Sequence, residues 1–150
     1  MTIKNIIQTG YNQDFYAWAM HNSELLREKK LSEIDIENIA EEIESMGKRE
    51  RRNLINRLAI LIAHLLKWQF QPDRRGKSWK CTIKEQRIKI RNLLKDSPSL
   101  KHELGLKLNH AYEIAIVDAE KESCLEELVF PKTCEFSFEQ CLDPDFWPEN

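Results

Sequence analysis

The sequence predicts an all-α fold: a four-helix bundle with one long second helix, expected to bend, and an irregular aromatic C-terminal tail packed on it. Glycine and proline are scarce, with four and five copies in 150 residues. Charged residues make up 32% of the chain, and this composition favours long helices over sheet. Apolar residues recur at steps of three and four, as one face of a helix requires. A chain of this length buries a core without disulfides, so we expect one domain over residues 1–150.

The first two helices are predicted from their caps and apolar stripes. The first is expected from about residue 13 to residue 30, with Asn12 as its N-cap. Its apolar stripe consists of Phe15, Trp18, Ala19, Leu25 and Leu26. The second begins near Asp35 and continues through Gly47, which costs about 1 kcal/mol relative to alanine inside a helix. Beyond that glycine, a heptad-like seam typical of bundle packing runs over Leu54, Leu58, Leu61, Leu65 and Trp68.

The remaining elements follow a loop at residues 71–77, which contains a proline and a glycine. Ser78 is expected to cap the third helix, which ends near Lys95. Its buried line is Trp79, Ile83, Ile90 and Leu94. The fourth helix is expected from about Pro98 to Ser123. The tail beyond it holds five aromatic residues and three prolines, with a short helix predicted at 138–142, and we expect it to dock on the core.

Charge is sorted into three blocks along the chain. Residues 1–47 carry four Lys/Arg and nine Asp/Glu, a net charge of −5. Residues 48–95 carry fifteen and three, a net charge of +12, and residues 96–150 carry four and thirteen, a net charge of −9. The central block either attracts a polyanion or pairs with acidic residues of the same chain or of another subunit. We favour pairing, because the acidic helices must pack against the basic ones in a small bundle.

Nucleic-acid binding is the alternative function for the central block. Cationic side chains neutralise phosphates, and aromatic faces stack on unpaired bases. The candidate residues are Arg74, Arg75, Lys77, Trp79, Lys80, Lys84, Arg87 and Arg91. Within that stretch only Glu85 opposes the positive charge. No recognised nucleic-acid-binding motif accompanies these residues, and the aromatic residues also fall on apolar stripes, where packing in the core is the default.

A metal-dependent hydrolase is a third hypothesis, and it depends on carboxylates along one face of the second helix. The candidate ligands for a divalent cation are Glu37, Glu41 and Glu44. A di-iron bundle places a glutamate three residues before a histidine, and none of the four histidines has one there. The non-catalytic alternative is that these carboxylates form a solvated acidic face or are partners for the basic block. No motif predicts a catalytic residue or a cofactor, so the sequence favours a non-enzymatic function and leaves enzymatic activity open.

The cysteine side chains and His64 are expected to have structural roles rather than metal-binding or catalytic ones. Cys124, Cys134 and Cys141 are spaced by ten and seven residues, which matches no standard zinc site, so they are expected to be small buried side chains. His64 lies in an apolar run and has no Ser or Cys at a recognisable catalytic spacing. We expect it to be a hydrogen-bonded residue at the boundary of the core.

Short motifs along nearly the whole chain carry a family resemblance. They are Asp14-Phe15-Tyr16-Ala17-Trp18, Glu41-Glu42-Ile43-Glu44, Met46-Gly47, Arg57-Leu58, His64-Leu65-Leu66-Lys67-Trp68, Ser78-Trp79, Gln86-Arg87, Ser97-Pro98-Ser99-Leu100, Phe130-Pro131, Cys134, Leu142-Asp143 and Asp145-Phe146-Trp147-Pro148. In this order and spacing the chain resembles the domain of unknown function 29 family, small helical bacterial proteins common in cyanobacteria. The resemblance implies a helical fold and no established activity.

These observations favour a non-catalytic interaction or adaptor domain with segregated acidic and basic surfaces, which meets itself or another protein chain. No export signal is seen and the longest apolar run, at 58–63, is too short for a bilayer. We therefore expect a cytoplasmic protein with reduced thiols and no membrane partner.

Overall fold

The computed structural model describes residues 10–123, 125–126 and 129–149, and this part of the chain contains helices and no strands. The helices are α1 (Phe15–Arg27), α2 (Ile36–Phe70), α3 (Lys77–Asp96), α4 (Leu104–Glu122) and α5 (Phe138–Leu142). Two short 3-10 turns, Pro72–Arg74 and Pro98–Lys101, precede α3 and α4. The predicted all-α class and the short helix in the tail are confirmed.

Helix starts differ from the expected ones by a few residues. The N-cap of α1 is Asp14, whose carboxylate accepts a hydrogen bond from the Ala17 amide at 3.0 Å; Asn12 does not have this role. Gly76 rather than Ser78 precedes α3. The expected fourth helix is divided after the 3-10 turn, where Glu103 has a φ of +53°. The ammonium group of Lys107 holds the turn there, because it donates to the carbonyls of Leu100 in the turn and of His102 just after it.

Helix α2 runs without a break through Gly47. Its 35 residues correspond to about 52 Å of helical rise along the chain. A side chain at Gly47 would meet no atom within 4 Å, so the cost of glycine in a helix is not offset by close packing within the described chain. The strong helix formers on both sides carry the helix through this position.

Tertiary contacts group the chain into two compact units, residues 1–48 and residues 49–150. A single domain over 1–150 stays a prediction. The larger unit holds most of the buried apolar side chains. The predicted seam of α2 is confirmed at Leu54, Leu58, Leu61 and Leu65, which are fully buried. Ile83 and Ile90 of α3 and three alanines of α4 complete this core, where the small alanines allow helices to approach closely.

The C-terminal tail docks on the core of residues 49–150, as expected. Phe130, Phe136 and Cys141 are buried. Ring pairs attach the tail to the end of α2: Phe130 lies 5.6 Å from Phe70 and Trp147 lies 4.7 Å from Trp68, between ring centroids. Aromatic pairs at such distances add to the area that they bury. The C-terminal tail, which lacks a long helical periodicity, therefore contributes buried side chains to the core.

In the unit of residues 1–48, α1 and the first part of α2 form an antiparallel hairpin. The Tyr11 hydroxyl, before α1, donates to Glu42 of α2 at 2.7 Å. At the other end, the indole N–H of Trp18 donates to Asp35 at 2.9 Å, and the amide oxygen of Asn22 accepts from the Asp35 backbone at 2.8 Å. Polar contacts thus join the two helices, while few large apolar side chains are buried here. None of the described helices in either unit is long and apolar enough to cross a membrane.

Candidate functional site

Four cations of the central block lie on one side of α3. Lys77, Lys80, Lys84 and Arg91 are exposed, and their spacing of three, four and seven residues places them along one line of the helix surface. We call these four residues the basic stripe; it is about 21 Å long at the helical rise. None of the four forms an ion pair with any residue that the structure describes. The stripe is therefore an open positive surface.

Arg87 does not belong to that surface, which corrects its prediction as a nucleic-acid contact. It is 1% exposed, and its guanidinium donates to the carbonyls of Cys141 at 2.8 Å and Phe146 at 2.7 Å. The guanidinium also lies 5.3 Å from the ring centroid of Trp147. Burial lowers the pKa of Arg87 from its usual value. The side chain holds the tail, and no polyanion reaches it in this conformation.

Arg75 and Trp79, two of the predicted nucleic-acid contacts beside the stripe, already interact with other residues of the chain. The Arg75 guanidinium donates to the Trp68 carbonyl at 2.6 Å, covers the Trp68 ring at 5.1 Å, and pairs with Glu149 at 3.3 Å. Trp79 is half-buried, with the Lys67 ammonium 5.0 Å from its ring centroid. Arg74 is exposed. The geometry therefore supports electrostatic contact with phosphates better than stacking of bases on Trp79.

Ion pairs between the central block and the acidic C-terminal block include two among the residues that the structure describes. One is Arg75 with Glu149; the other is Lys67, which is 2% exposed and contacts Glu122 at 2.5 Å. His64 lies beside this pair, 3.5 Å from the Lys67 ammonium, and its Nδ1 contacts the Ile60 carbonyl at 2.8 Å. The hydrogen bond from Lys67 lowers the pKa of Glu122, and burial lowers the pKa of His64. In the described part of the chain, internal ion pairs thus neutralise individual cations, Lys67 and Arg75, and do not neutralise the basic stripe.

The predicted metal ligands do not come together. Among the described residues, no group of three or more His, Cys, Asp or Glu side chains is arranged to hold a metal ion. Glu37, Glu41 and Glu44 are exposed, and Glu44 pairs with Lys48 at 3.0 Å. Carboxylates separated by a helical turn point outward together without enclosing a site. The structure gives the hydrolase hypothesis no support.

The described thiols are free and do not form a metal site. Cys141 is fully buried, and burial raises its pKa to about 12. Cys134 is half-buried with a raised pKa, also from burial, and Cys81 is exposed. Cys124 lies outside the described residues. Burial keeps Cys141 protonated at neutral pH, which suits packing and not nucleophilic chemistry.

Sequence reasoning missed an apolar groove in the hairpin of residues 10–48. Phe15 and Leu26 of α1 were expected in the core, yet they are exposed, and so are Ile43 and Met46 of α2. The exposed fractions of Phe15, Ile43 and Met46 are 51%, 64% and 60%. The large apolar side chains that line the groove are Phe15, Trp18, Leu26, Ile39, Ile43 and Met46. We call this surface the hairpin groove; its volume is about 290 Å³.

The polar residues of the hairpin groove are mostly committed to bonds within the hairpin. The Asn22 amide donates to the Trp18 carbonyl at 3.0 Å, and the Ser23 hydroxyl donates to the Met20 carbonyl at 2.8 Å. Glu42 accepts from Tyr11, and this hydrogen bond raises the pKa of the Tyr11 hydroxyl to about 12. A carboxylate has room for further donors, so Glu42 is the charged side chain of the groove that can still accept a hydrogen bond from a ligand.

Comparison with known proteins identifies the family of this chain. No curated protein and no solved structure matches the chain at a significant level. A family model described as "Domain of unknown function DUF29" matches residues 10–147, which covers nearly the whole sequence and confirms the resemblance. The chain therefore belongs to the DUF29 family.

Proposed function

We propose that this protein is a non-catalytic interaction domain that binds another polypeptide chain through the hairpin groove. The observation that carries the proposal is the exposure of large apolar side chains from both helices around one groove. Scattered apolar residues are normal on protein surfaces, but a contiguous patch marks an interaction site. The described residues also offer no group of side chains to hold the metal ion that the hydrolase hypothesis requires.

We also propose that the protein acts in the cytoplasm. Cys81, Cys134 and Cys141 are free thiols in the structure. Free thiols in a chain of this kind suit a reducing compartment, in which disulfides do not persist.

Site-specific photo-crosslinking tests the interaction proposal. A photoreactive phenylalanine analogue replaces Ile43 in the full chain, produced in the cells that contain the protein natively. The expected result is one discrete adduct of higher mass, because a bound partner would cover position 43. Mass spectrometry of the adduct distinguishes a second copy of this chain from another protein.

The matched control places the same analogue at Leu31, which is 60% exposed but lies outside the hairpin groove. Leu31 is expected to give no discrete adduct. The same adducts at both positions, or none at Ile43, would contradict the proposal that the groove binds a chain.

The second candidate function is polyanion binding, and the open basic stripe of α3 favours it. Residues Lys77, Lys80, Lys84 and Arg91 present positive charge that the described residues do not neutralise by ion pairs. Contacts of this kind attract phosphates through counterion release and carry little sequence specificity. Any such binding would therefore be strongly salt-dependent and similar for different sequences.

Fluorescence anisotropy with labelled single- and double-stranded DNA and RNA tests this candidate across a range of salt concentrations. The double variant Lys80→Gln, Lys84→Gln is expected to reduce the slope of log affinity against log salt by about 2. Lys132→Gln, which removes an exposed cation of the C-terminal region, is the control and should leave the slope unchanged. Absence of salt-sensitive binding by the wild-type protein would remove this function.

A further inference from the structure

The hairpin groove is an open surface, and this restricts what it can bind. Phe15, Ile43 and Met46 on its two walls are more than half exposed, and its volume of about 290 Å³ lies at the small end of the range of ligand pockets. A small molecule would leave much of its own surface in water. Side chains inserted from a larger partner would fill the groove and cover its walls at the same time.

The groove offers a ligand almost no hydrogen bonds. Its polar atoms at Trp18, Asn22 and Ser23 are bonded within the hairpin. An extended peptide laid across it would lose water from its backbone N–H and C=O groups without gaining partners, which is costly. A helix satisfies those groups itself, so a helix is the peptide form that an apolar groove accepts.

The spacing of the walls also suits a helix. Ile39, Ile43 and Met46 follow one another at steps of four and three on α2, and Phe15 and Leu26 lie three turns apart on α1. Two roughly antiparallel ridges of this kind leave a furrow in which the apolar side chains of a third helix can lie.

The negative charge of the hairpin favours positive side chains on the bound helix, on either side of its apolar face. Residues 10–48 contain four Lys/Arg and nine Asp/Glu, a net charge of −5. Within the groove, Glu42 retains an acceptor beside its bond with Tyr11. Positive side chains next to the apolar ridge of the ligand would pair with Glu42 and be attracted by the net negative charge of the hairpin. An acidic helix, or a second acidic hairpin of this chain, would be repelled.

We propose that the hairpin groove binds a basic amphipathic helix of a partner protein, with its apolar ridge between α1 and α2 and a Lys or Arg at Glu42. The inference rests on the proposed function of the groove and names the chemistry of its partner. Affinity comes from the buried apolar side chains, and selectivity comes from Glu42 and the negative hairpin.

Fluorescence polarisation of labelled synthetic peptides against the full chain tests this inference. The probe is a helical peptide of about 18 residues, five turns long, with leucines along one face and lysines elsewhere. Its matched controls are the same peptide with glutamate for lysine, and the lysine peptide interrupted by proline so that it cannot form a helix. We expect the lysine helix to bind at least tenfold more tightly than either control.

Two variants of groove residues and one control variant locate the binding. Ile43→Asp places a charge in the groove and should weaken binding of the lysine helix at least tenfold, while Leu31→Asp adds the same charge outside the groove and should not. Glu42→Gln should weaken the lysine helix and leave the glutamate peptide unchanged or improved. Circular dichroism shows whether each variant retains its helices, and if Ile43→Asp unfolds, Ile43→Ser replaces it.

Three outcomes would overturn the inference. The first is equal binding of the lysine helix and the proline-interrupted peptide, and the second is equal binding of the lysine helix to Ile43→Asp and to wild type. The third is a dimer in light scattering that Ile43→Asp abolishes. The last result would assign the groove to a second copy of the chain. An adduct at Ile43 in the crosslinking experiment, with no binding of the lysine helix, would retain the interaction function and reject this partner class.

Discussion

Arg87 shows how one residue of a basic sequence block acquires a structural role. The four cations of the basic stripe on α3 are exposed, but the Arg87 side chain lies beneath the tail and donates to two carbonyls there. Hydrogen bonds from a charged donor to buried carbonyls are stronger than neutral ones. The spacing of the sequence placed Arg87 close to the exposed cations, and only the docked tail distinguishes it from them.

Replacing Arg87 by methionine is expected to lower the free energy of unfolding by about 2–4 kcal/mol, because the carbonyls of Cys141 and Phe146 lose a charged donor. Urea denaturation of the full chain measures the change. Arg91→Met, one turn further along α3 at an exposed position, should change it by about 0.5 kcal/mol or less. Equal effects of the two substitutions would show that the tail does not depend on Arg87.

The second prediction at the residue scale concerns pH and His64. Burial lowers the pKa of His64 below its ordinary value, and the nearby Lys67 acts in the same direction. Glu122 and Asp118 oppose this shift. The unfolded chain therefore binds a proton at His64 more readily than the folded chain, so stability should fall as the pH drops below about 6.5.

Urea denaturation at about pH 7.5 and pH 5.5 checks this expectation, over a range that lies above the usual pKa of carboxylates. His64→Gln should lose less stability between these pH values than wild type. His102→Gln, at an exposed position, should behave as wild type does. An unchanged pH dependence in His64→Gln would assign the effect to other groups.

At the scale of single elements, the end of α1 has a strained residue. Lys29 has a φ of +60°, the left-handed conformation that favours glycine. Its amide donates to the Leu26 carbonyl, and the Lys30 amide donates to the Leu25 carbonyl, which is the bonding pattern of a Schellman cap. The cap turns the chain toward α2 despite the side chain at Lys29.

Lys29→Gly should stabilise the hairpin by about 1 kcal/mol, because glycine adopts the left-handed conformation without the cost of a β-carbon. Thermal unfolding followed by far-ultraviolet circular dichroism measures the change. Lys30→Gly, at the next residue and without a positive φ, should not stabilise the protein. Destabilisation by Lys29→Gly would mean that the lysine side chain has a role that outweighs the strain.

The elements themselves were largely predictable from local sequence. The seam from Leu54 to Leu65 identified the buried face of α2, because a helix repeats its face at every third or fourth residue. Helix starts were less accurate: Asp14 and Asn12 are both good N-caps by type, and only the backbone turn before α1 selects Asp14. Likewise, nothing local indicated that the expected fourth helix would be divided at Glu103.

At the scale of the whole molecule, the two compact units differ in how much they bury. Residues 49–150 contain the main apolar cluster, from Leu54 to Cys141. The hairpin of residues 10–48 is joined by polar contacts and leaves many of its large apolar side chains exposed. An isolated helical hairpin with so little buried area gains little from packing to offset its conformational entropy.

Separate fragments test this difference. Residues 49–150 alone should remain helical and unfold cooperatively, because their core lies within the fragment, whereas residues 10–48 alone should show weak helicity without a cooperative transition. Circular dichroism melts of both fragments and of the full chain provide the comparison. A fragment 49–150 that unfolds without cooperativity would show that its core depends on residues before Arg49.

The candidate sites were only partly predictable at this scale. The sequence located the cations of the basic stripe, since exposed lysines on one line of a helix follow from their spacing. It also suggested that the acidic blocks would neutralise them, but the acidic partners meet Lys67 and Arg75 instead. The hairpin groove was missed because its residues carry the same periodic pattern as core residues.

The sequence by itself determined the helical class, the approximate positions of the long helices, the buried seam of α2 and the family to which the chain belongs. Each depends on local propensity, on residue spacing or on ordered motifs, all of which are properties of short segments. Only the tertiary structure decided that Arg87 is buried and that Phe15, Ile43 and Met46 are exposed. Burial depends on which distant segment covers a helix face, and a stripe of apolar or basic residues does not specify what lies against it.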